Sequence, residues 1–247
     1  MFTKSLVLLL AADLLSAGRV PHPVDERIVC GLPIEKAPWQ VSLLIKPSED
    51  CGGVIYNKNI VLTTAHCVQG RNPKDIVVSF GSSTWGGGEL RPVHEVFIHE
   101  KYSPETTYGS NANNIAVLLL GIPIPLGKNA TPIDIADKTP TPGLYVQITG
   151  WSTTHLQGTD VKIEDHVRCQ QFCNSLITED MICANRMDRG PCAGKEGAAL
   201  VSVPGNQLIG LSSWNSFCGI PLFDVYTNVV VLKKWLEAFK AINPLQN

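Results

Sequence analysis

Residues 51–67 read CGGVIYNKNIVLTTAHC, a segment in which a glycine pair, an apolar run and a histidine lie between two cysteines. The apolar run, Gly53–Leu62, is rich in Val, Ile and Leu, and β-branched side chains favour extended backbone. We therefore predict a β-strand that leads directly into the segment Thr63-Thr64-Ala65-His66.

Runs of the same kind recur on both sides of this segment, separated by clusters of Gly, Pro, Asn and Ser. They lie at Gln40–Ile45, Asp75–Phe80, Glu95–His99, Ile115–Leu120, Leu144–Ile148, Gln207–Ser213 and Val225–Val230. Short strands at such spacing are typical of an antiparallel all-β sandwich or barrel. Near the C terminus, apolar residues recur every three or four positions from Val229 to Ile242, which predicts an amphipathic α-helix.

Composition and the first residues indicate an extracellular protein. The net charge is −2 and only 17% of the 247 residues are charged, so the basic surface of a nucleic-acid binder is excluded. No apolar run reaches the ~18–20 residues of a membrane span. Residues 1–18 have a basic start, an apolar stretch and small residues at the end, which predicts a secretory signal peptide rather than a buried N-terminal helix. Since secretion leads to an oxidising compartment, the eight cysteines are expected to form disulfides.

A series of short motifs runs along the chain in a fixed order. They are Arg27-Ile28-Val29-Cys30-Gly31, Ala37-Pro38-Trp39-Gln40, Cys51-Gly52-Gly53, Thr64-Ala65-His66-Cys67, Asn114-Ile115-Ala116-Val117, Gly150-Trp151, Met181-Ile182-Cys183-Ala184, Cys192-Ala193-Gly194-Lys195-Glu196-Gly197, Ser213-Trp214 and Val225-Tyr226-Thr227. With these motifs the chain resembles the trypsin/chymotrypsin family of serine proteases. The resemblance implies an all-β domain over residues 28–247, with two six-stranded antiparallel β-barrels and a C-terminal α-helix. The Pro-rich stretch 131–143 is the candidate link between the barrels, and the alternative is a loop within one barrel. Residues 19–27 would then be a short propeptide-like segment.

The resemblance assigns catalytic positions, but two of the three hold the wrong residue. His66 matches the family's histidine, whereas Asn114 replaces the aspartate and Glu196 replaces the nucleophilic serine. In serine proteases, the exchange of the aspartate for asparagine favours the wrong imidazole tautomer and costs about 10⁴ in turnover. A carboxylate is a poor nucleophile toward an amide, and we expect its charge to occupy the oxyanion hole formed by the backbone N–H groups of Gly194 and Glu196. Peptide hydrolysis should therefore be abolished.

The activation site is altered in the same way. In the family, cleavage after an arginine frees an isoleucine amino group, which pairs with the aspartate before the nucleophile. Arg27-Ile28 preserves the cleavage site, but Lys195 replaces the aspartate, and two cations would repel each other. Cleavage after Arg27 is therefore not expected to order the second barrel. The alternative is that Arg27 is an inherited site or a basic residue in a flexible leader.

The specificity pocket also departs from the family pattern. Asn215 and Phe217 replace small residues of the pocket wall, so its mouth is expected to be obstructed, and Gly190 occupies the base. Asp224 could supply a carboxylate from the opposite wall or neutralise Lys195.

The resemblance pairs six of the eight cysteines. The expected bridges are Cys51–Cys67, Cys169–Cys183 and Cys192–Cys218. Cys30 and Cys173 remain, and our hypothesis is that they bond to each other and tether the N-terminal segment. The competing interpretation is a cross-link to another chain.

These features predict a secreted, catalytically inactive serine protease homologue that binds an extracellular protein: a protease, an inhibitor or a substrate-like protein. The alternatives are a residually active endopeptidase, a hydrolase that uses His66 and Glu196, and a structural component of a secreted fluid. No cofactor is expected, and the remaining histidines show no metal-ligand spacing. Asn129-Ala130-Thr131 is a possible glycosylation site followed by Pro132.

Overall fold

The computed structural model of the chain describes residues 29–30, 32–46, 49–104, 111–151, 153–173, 176–186, 195–215 and 223–242. The predicted signal peptide and propeptide-like segment, with Arg27 and Ile28, lie outside these ranges. The described chain forms two closed antiparallel β-barrels, with a helix near its C-terminal end.

The first barrel is built from six consecutive strands. They are β2 (Gln40–Ile45), β3 (Glu49–Asn57), β4 (Ile60–Thr63), β5 (Ile76–Phe80), β6 (Glu89–Ile98) and β7 (Ala116–Leu120). Their order is β2-β3-β4-β7-β6-β5, and pairing of β2 with β5 closes the barrel. The strand β7 is buried along its whole length, because one face fills the barrel and the other contacts the neighbouring barrel.

The second barrel also consists of six antiparallel strands. Its strands are β8 (Tyr145–Trp151), β9 (Leu156–Ile163), β10 (Met181–Arg186), β11 (Ala199–Ser202), β12 (Leu208–Asn215) and β13 (Phe223–Asn228). Pairing of β8 with both β9 and β11 closes the barrel. The short strand β1 (Val29–Cys30) adds to its outside, where Val29 pairs with Gly158.

The helices are few and short. The described α-helices are α1 (Ala65–Val68), α2 (His166–Phe172) and α3 (Lys233–Ile242). The predicted C-terminal helix is confirmed, but it begins at Lys233, since residues 229–232 form turns. The helix α2 was not predicted; the Asp165 carboxylate caps it by accepting the N–H of Arg168 at 2.9 Å.

The predicted strand Gly53–Leu62 is wrong as a single element. The structure divides it into the strands β3 and β4, and the side chain of Asn57 accepts the N–H of Asn59 in the turn between them. An asparagine that bonds the backbone two residues ahead stabilises a turn, so the hairpin separates two runs that look continuous.

A shared apolar core joins the two barrels. Leu62 and Val117 of the first barrel and Ala199 and Leu211 of the second belong to one buried cluster, together with Phe239 of α3. Their burial keeps the inner faces of the barrels together, and burial of apolar surface contributes about 25 cal/mol per Å². The connecting segment 131–143 bonds to both barrels, because the N–H of Ile133 donates to β3 and the N–H of Ala136 donates to β12.

Candidate active site

His66 lies at the junction of the barrels, on the short helix α1 that follows β4. A disulfide joins Cys67 of this helix to Cys51 of β3, with Cα atoms 6.2 Å apart. The helix is therefore fixed to its own barrel on the side of the histidine. The His66 side chain is 51% exposed, so the imidazole is open to solvent.

Asn114 is fully buried next to His66. Its Oδ1 accepts the backbone N–H of His66 at 2.9 Å, and its Nδ2 donates to Ser213 Oγ at 2.8 Å and to Glu196 Oε1 at 3.3 Å. Its backbone carbonyl accepts the hydroxyl of Thr227 at 2.8 Å. Both ends of the amide are thus used, which fixes its orientation.

Glu196 points from the second barrel toward His66. Its Oε2 lies 2.9 Å from His66 Nδ1, and its Oε1 accepts the hydroxyl of Thr64 at 3.1 Å as well as the Asn114 amide. An ionised carboxylate can only accept hydrogen bonds. The contact with Glu196 therefore selects an imidazole that carries a proton on Nδ1.

This geometry bears on two expectations. The Asn114 amide does not turn its donor toward the imidazole; it donates to Glu196 and Ser213. The Glu196 carboxylate was expected to occupy the oxyanion hole, but its described hydrogen bonds are to His66, Thr64 and Asn114, and Gly194 lies outside the described residues. The physical reason is that glutamate is long enough to reach Nδ1 of the histidine, where it accepts a proton that the amide nitrogen of Asn114 cannot accept.

The turn that carries Glu196 is clamped between the barrels. The carbonyl of Glu196 accepts the N–H of Gly52 at 2.6 Å, and the N–H of Gly197 donates to Ser212 at 2.7 Å. Gly197 has a φ of +82°, and a Cβ on it would clash with the carbonyl oxygen of Gly52. Only glycine fits this position.

Lys195 lies in the same turn and faces the first barrel. Its Nζ is 2.9 Å from Oδ2 of Asp50 and 4.8 Å from the ring centroid of Trp85, while its backbone N–H donates to the carbonyl of Trp151 at 2.8 Å. The expectation that Asp224 neutralises Lys195 is therefore wrong, because the carboxylate that lies beside the lysine belongs to Asp50. Asp224 itself is buried on β13.

The specificity pocket is described only in part. Asn215 ends β12, where its backbone pairs with Asp224. Gly190 and Phe217 lie outside the described residues, as does the side chain of Asn215. The obstructed pocket thus stays a prediction.

The cysteines fall into three groups. Disulfides join Cys51 to Cys67 and Cys169 to Cys183, and the second bridge ties α2 to β10. Cys173 is buried and also takes part in a disulfide, but its partner sulfur is not among the described side chains. The bridge between Cys30 and Cys173 therefore stays a prediction, and Cys192 and Cys218 lie outside the described ranges.

Sites for other ligands are sparse in the described part of the chain. No three His, Cys, Asp or Glu side chains there lie close enough together to hold a metal ion. Asn129 is exposed on a turn beside an open pocket of about 340 Å³, so glycosylation at this residue stays a prediction. None of the described helices is long and apolar enough to cross a membrane.

Sequence reasoning missed four residues that hold the site together. Thr64 and Ser213 lie in the quoted motifs but received no role, although their hydroxyls bond Glu196 and Asn114. Asp50 and Trp85 were not singled out, although both contact Lys195. The position of Asp50 directly before Cys51 was the only signal in the sequence.

Comparison of the sequence with known proteins shows similarity to one family. The sequence profile of the trypsin family matches residues 29–236. Trypsin iota of Drosophila melanogaster is 33% identical over 97% of this chain and 96% of its own length, and a trypsin of Sarcophaga bullata is 35% identical over 90% and 92%.

Solved structures agree with this assignment. The scabies mite inactivated protease paralogue S-D1 has a TM-score of 0.76 at 25% identity, over 87% of this chain and 96% of its own. Mouse neuropsin, a serine protease, has a TM-score of 0.75 at 27% identity, over 85% of this chain and 97% of its own. The chain is a member of the trypsin family of serine proteases.

Proposed function

We propose that this chain is a secreted serine protease homologue that does not cleave peptides and acts by binding an extracellular protein. The observation that carries the proposal is the Glu196 carboxylate, which is held by His66, Thr64 and Asn114 and which the sequence motif assigns to the position of the family's serine. Attack by a carboxylate on an amide would give an acid anhydride, which is less stable than the amide. No acyl-enzyme can therefore accumulate at this position.

The comparisons support the proposal in part. A solved structure with a similar fold is described as an inactivated protease paralogue, so the fold tolerates loss of activity. The relatives named trypsins favour the competing function, a secreted endopeptidase. The two functions differ in what they require at residue 196, because an endopeptidase of this family needs a nucleophile there.

Peptide hydrolysis separates the two functions. The full secreted chain, intact and cleaved after Arg27, would be incubated with a broad library of fluorogenic peptides. We expect no cleavage above that of the His66→Ala variant prepared in the same way. Cleavage that is present in the wild type and lost in His66→Ala would overturn the proposal and establish an endopeptidase.

The binding role needs its own measurement. The chain would be immobilised and exposed to the extracellular fluid in which it occurs, with heat-unfolded chain as the control. We expect a saturable partner that is retained by the folded chain alone: a protease, an inhibitor or a substrate-like protein. High abundance of the chain together with no specific partner would favour a structural component of the fluid.

A further inference from the structure

An open pocket at one end of the first barrel lies beside a glycosylation motif. Asn129-Ala130-Thr131 is the one place in the sequence where Asn-X-Ser/Thr occurs. Oligosaccharides are attached to this motif in the secretory pathway, so the inference rests on the secretion that belongs to the proposed function. We propose that Asn129 carries an N-linked glycan and that the first N-acetylglucosamine of this glycan lies in the pocket.

The asparagine lies on an exposed turn that is held by several hydrogen bonds. The N–H of Gly127 donates to the carbonyl of Ala130 at 2.8 Å, and the N–H of Ala130 donates back at 3.0 Å. The Thr131 hydroxyl donates to the Gly127 carbonyl at 3.0 Å. Asn129 is exposed between them, and its side chain makes no hydrogen bond to the described residues. A sugar on its amide nitrogen therefore costs the fold no contact.

The hydroxyl of Thr131 indicates that the sugar is added before this turn folds. The transferase needs the hydroxyl of the motif, and in the folded chain this hydroxyl is bonded to Gly127. The donor is a lipid-linked oligosaccharyl diphosphate. The Asn129 nitrogen forms a bond to C1 of the sugar, the bond from C1 to the diphosphate oxygen breaks, and the amide loses one proton to solvent. Since Pro132 restricts the backbone of Thr131, we expect attachment in a fraction of the molecules.

The pocket presents polar groups for a sugar directly beside Asn129. Its volume is about 340 Å³, and its wall includes Asn129, Lys128, Glu35 and Glu89. Pockets of about 300–1,000 Å³ are typical of small-ligand sites. Carboxylates accept hydrogen bonds and ammonium groups donate them, which suits the hydroxyl and acetamido groups of N-acetylglucosamine.

The charged side chains of this pocket are within reach of a sugar from the solvent side. Lys128 Nζ lies 3.4 Å from Glu35 Oε1, and these side chains are 79% and 39% exposed. Glu89 is 65% exposed. A bulky glycan that starts here would keep a protein partner away from this end of the first barrel.

The first test is the mass of the full chain before and after treatment with peptide N-glycosidase F, which removes the sugar from asparagine. The chain would be expressed in eukaryotic cells that leave glycans in the high-mannose form. We expect a loss of mass for the wild type and for Thr131→Ser, which keeps the motif, and none for Asn129→Gln. Pro132→Ala should raise the glycosylated fraction.

Two leaders separate this inference from the proposed function. One form keeps residues 1–18, and the other has a heterologous signal peptide in their place. A chain that is secreted but carries no sugar at Asn129 would overturn the inference and leave the proposed function intact. A chain that is secreted and glycosylated only with the heterologous leader supports the inference and contradicts secretion by its own leader.

Endoglycosidase H tests the position of the first sugar, because it leaves one N-acetylglucosamine on the asparagine whereas peptide N-glycosidase F leaves none. Hydrogen exchange would be measured across residues 80–81 and 127–131. We expect equal protection in the untreated chain and the chain treated with endoglycosidase H, and a loss of protection after peptide N-glycosidase F. Equal exchange after the two enzymes would show that the sugar does not lie in the pocket and would overturn the inference.

Variants of two glutamates on β6 complete this test. Glu89→Ala should reduce the difference in exchange between the two enzyme-treated forms, because it removes a hydrogen-bond acceptor from the pocket wall. Glu95→Ala is the matched control, since Glu95 is an exposed glutamate of the same strand outside the pocket, and it should leave the difference unchanged. An equal effect of both variants would contradict a sugar seated beside Glu89.

Discussion

At the scale of single residues, the side chains at positions 114 and 196 depend on each other. Asn114 Nδ2 donates to Glu196 Oε1 at 3.3 Å from a fully buried position. An aspartate at position 114 would instead bring a second carboxylate against Glu196, and like charges at this distance repel. The asparagine is therefore explained by the glutamate, although in sequence the two look like independent losses.

This coupling predicts that restoring the family's aspartate destabilises the chain. Asn114→Asp should lower the free energy of unfolding by about 1–3 kcal/mol at neutral pH, because a buried carboxylate loses a donor contact and gains a like charge. Urea unfolding measures the loss. In a Glu196→Gln background the same substitution should cost less, and an equal cost in both backgrounds would contradict the coupling.

The sequence predicted which residues occupy the site but not how they are arranged. The motifs singled out His66, Asn114 and Glu196, because each is embedded in a distinctive local pattern, and the structure brings the three side chains together. The direction of the Glu196 side chain depends on Thr64 and Asn114, which are 132 and 82 residues away along the chain. Lys195 and Asp50 are likewise 145 residues apart, and no local pattern encodes such a pair.

At the scale of elements, helix α3 packs onto β6 and the residues that follow it through aromatic contacts. Phe239 meets Phe97 edge to face at 4.9 Å, and Trp235 lies 4.8 Å from His99 and donates to Glu100 Oε2 at 2.8 Å. His99 is buried, and its Nδ1 accepts the N–H of Lys101 at 3.1 Å. This acceptor role requires the neutral ring.

The contact between α3 and His99 predicts a loss of stability in mild acid. Burial lowers the pKa of His99 below its ordinary value of 6.5, although Glu100 and Asp180 act in the opposite direction and Lys101 in the same one. Below pH 6.5 the unfolded chain therefore binds a proton that the folded chain resists, and the free energy of unfolding falls.

Urea titrations between pH 7.5 and 5 check this prediction. The His99→Gln variant keeps a neutral polar side chain and should show a weaker decline across this interval. Protonation of carboxylates changes the free energy of unfolding mainly at lower pH, since the ordinary pKa of a glutamate such as Glu100 is 4.5. An unchanged pH slope in His99→Gln would show that another group is responsible.

The turn around Gly197 allows a second prediction at this scale. Gly197→Ala should destabilise the chain by about 3 kcal/mol or more, because a positive φ of +82° and a clash of the added Cβ with the Gly52 carbonyl oxygen act together. Gly70→Ala is the matched control, since Gly70 has a φ of +71° but nothing within 4 Å of an added Cβ; it should cost only about 1 kcal/mol. Equal melting temperatures for the two variants would show that the contact with Gly52 has no effect.

Strands were predictable from the sequence where apolar residues were dense. Gln40–Ile45 has the predicted bounds, since both faces of β2 are largely buried. The strand β9 was not predicted because its middle reads Gln157-Gly158-Thr159-Asp160, which is typical of a turn. Its pairing with β8 on one side and β10 on the other overrides this local preference.

At the scale of the whole molecule, the turn 195–197 is one place where the second half of the chain contacts the first barrel, in addition to the shared apolar core. Lys195 bonds Asp50 and lies over Trp85, and the carbonyl of Glu196 accepts the N–H of Gly52. The partners of the turn in these contacts are Asp50, Gly52 and Trp85, which do not belong to the N-terminal segment. We therefore expect the turn to be ordered without the amino group that cleavage after Arg27 would create.

This arrangement predicts that cleavage after Arg27 leaves the conformation of the turn unchanged. The uncleavable Arg27→Gln variant and the cleaved wild type should have the same melting temperature and the same hydrogen-exchange protection across residues 195–202, because the contacts of Lys195 and Glu196 are present before cleavage. The Asp50→Asn variant shows how large an effect the loss of this ion pair has. Removing a half-exposed ion pair should lower the free energy of unfolding by about 0–1 kcal/mol and should slightly increase hydrogen exchange in both the cleaved and the uncleaved form. A cleaved chain that melts several degrees higher, with protection gained only after cleavage, would show that the new N terminus still orders the second barrel and that the Lys195–Asp50 pair is not its substitute.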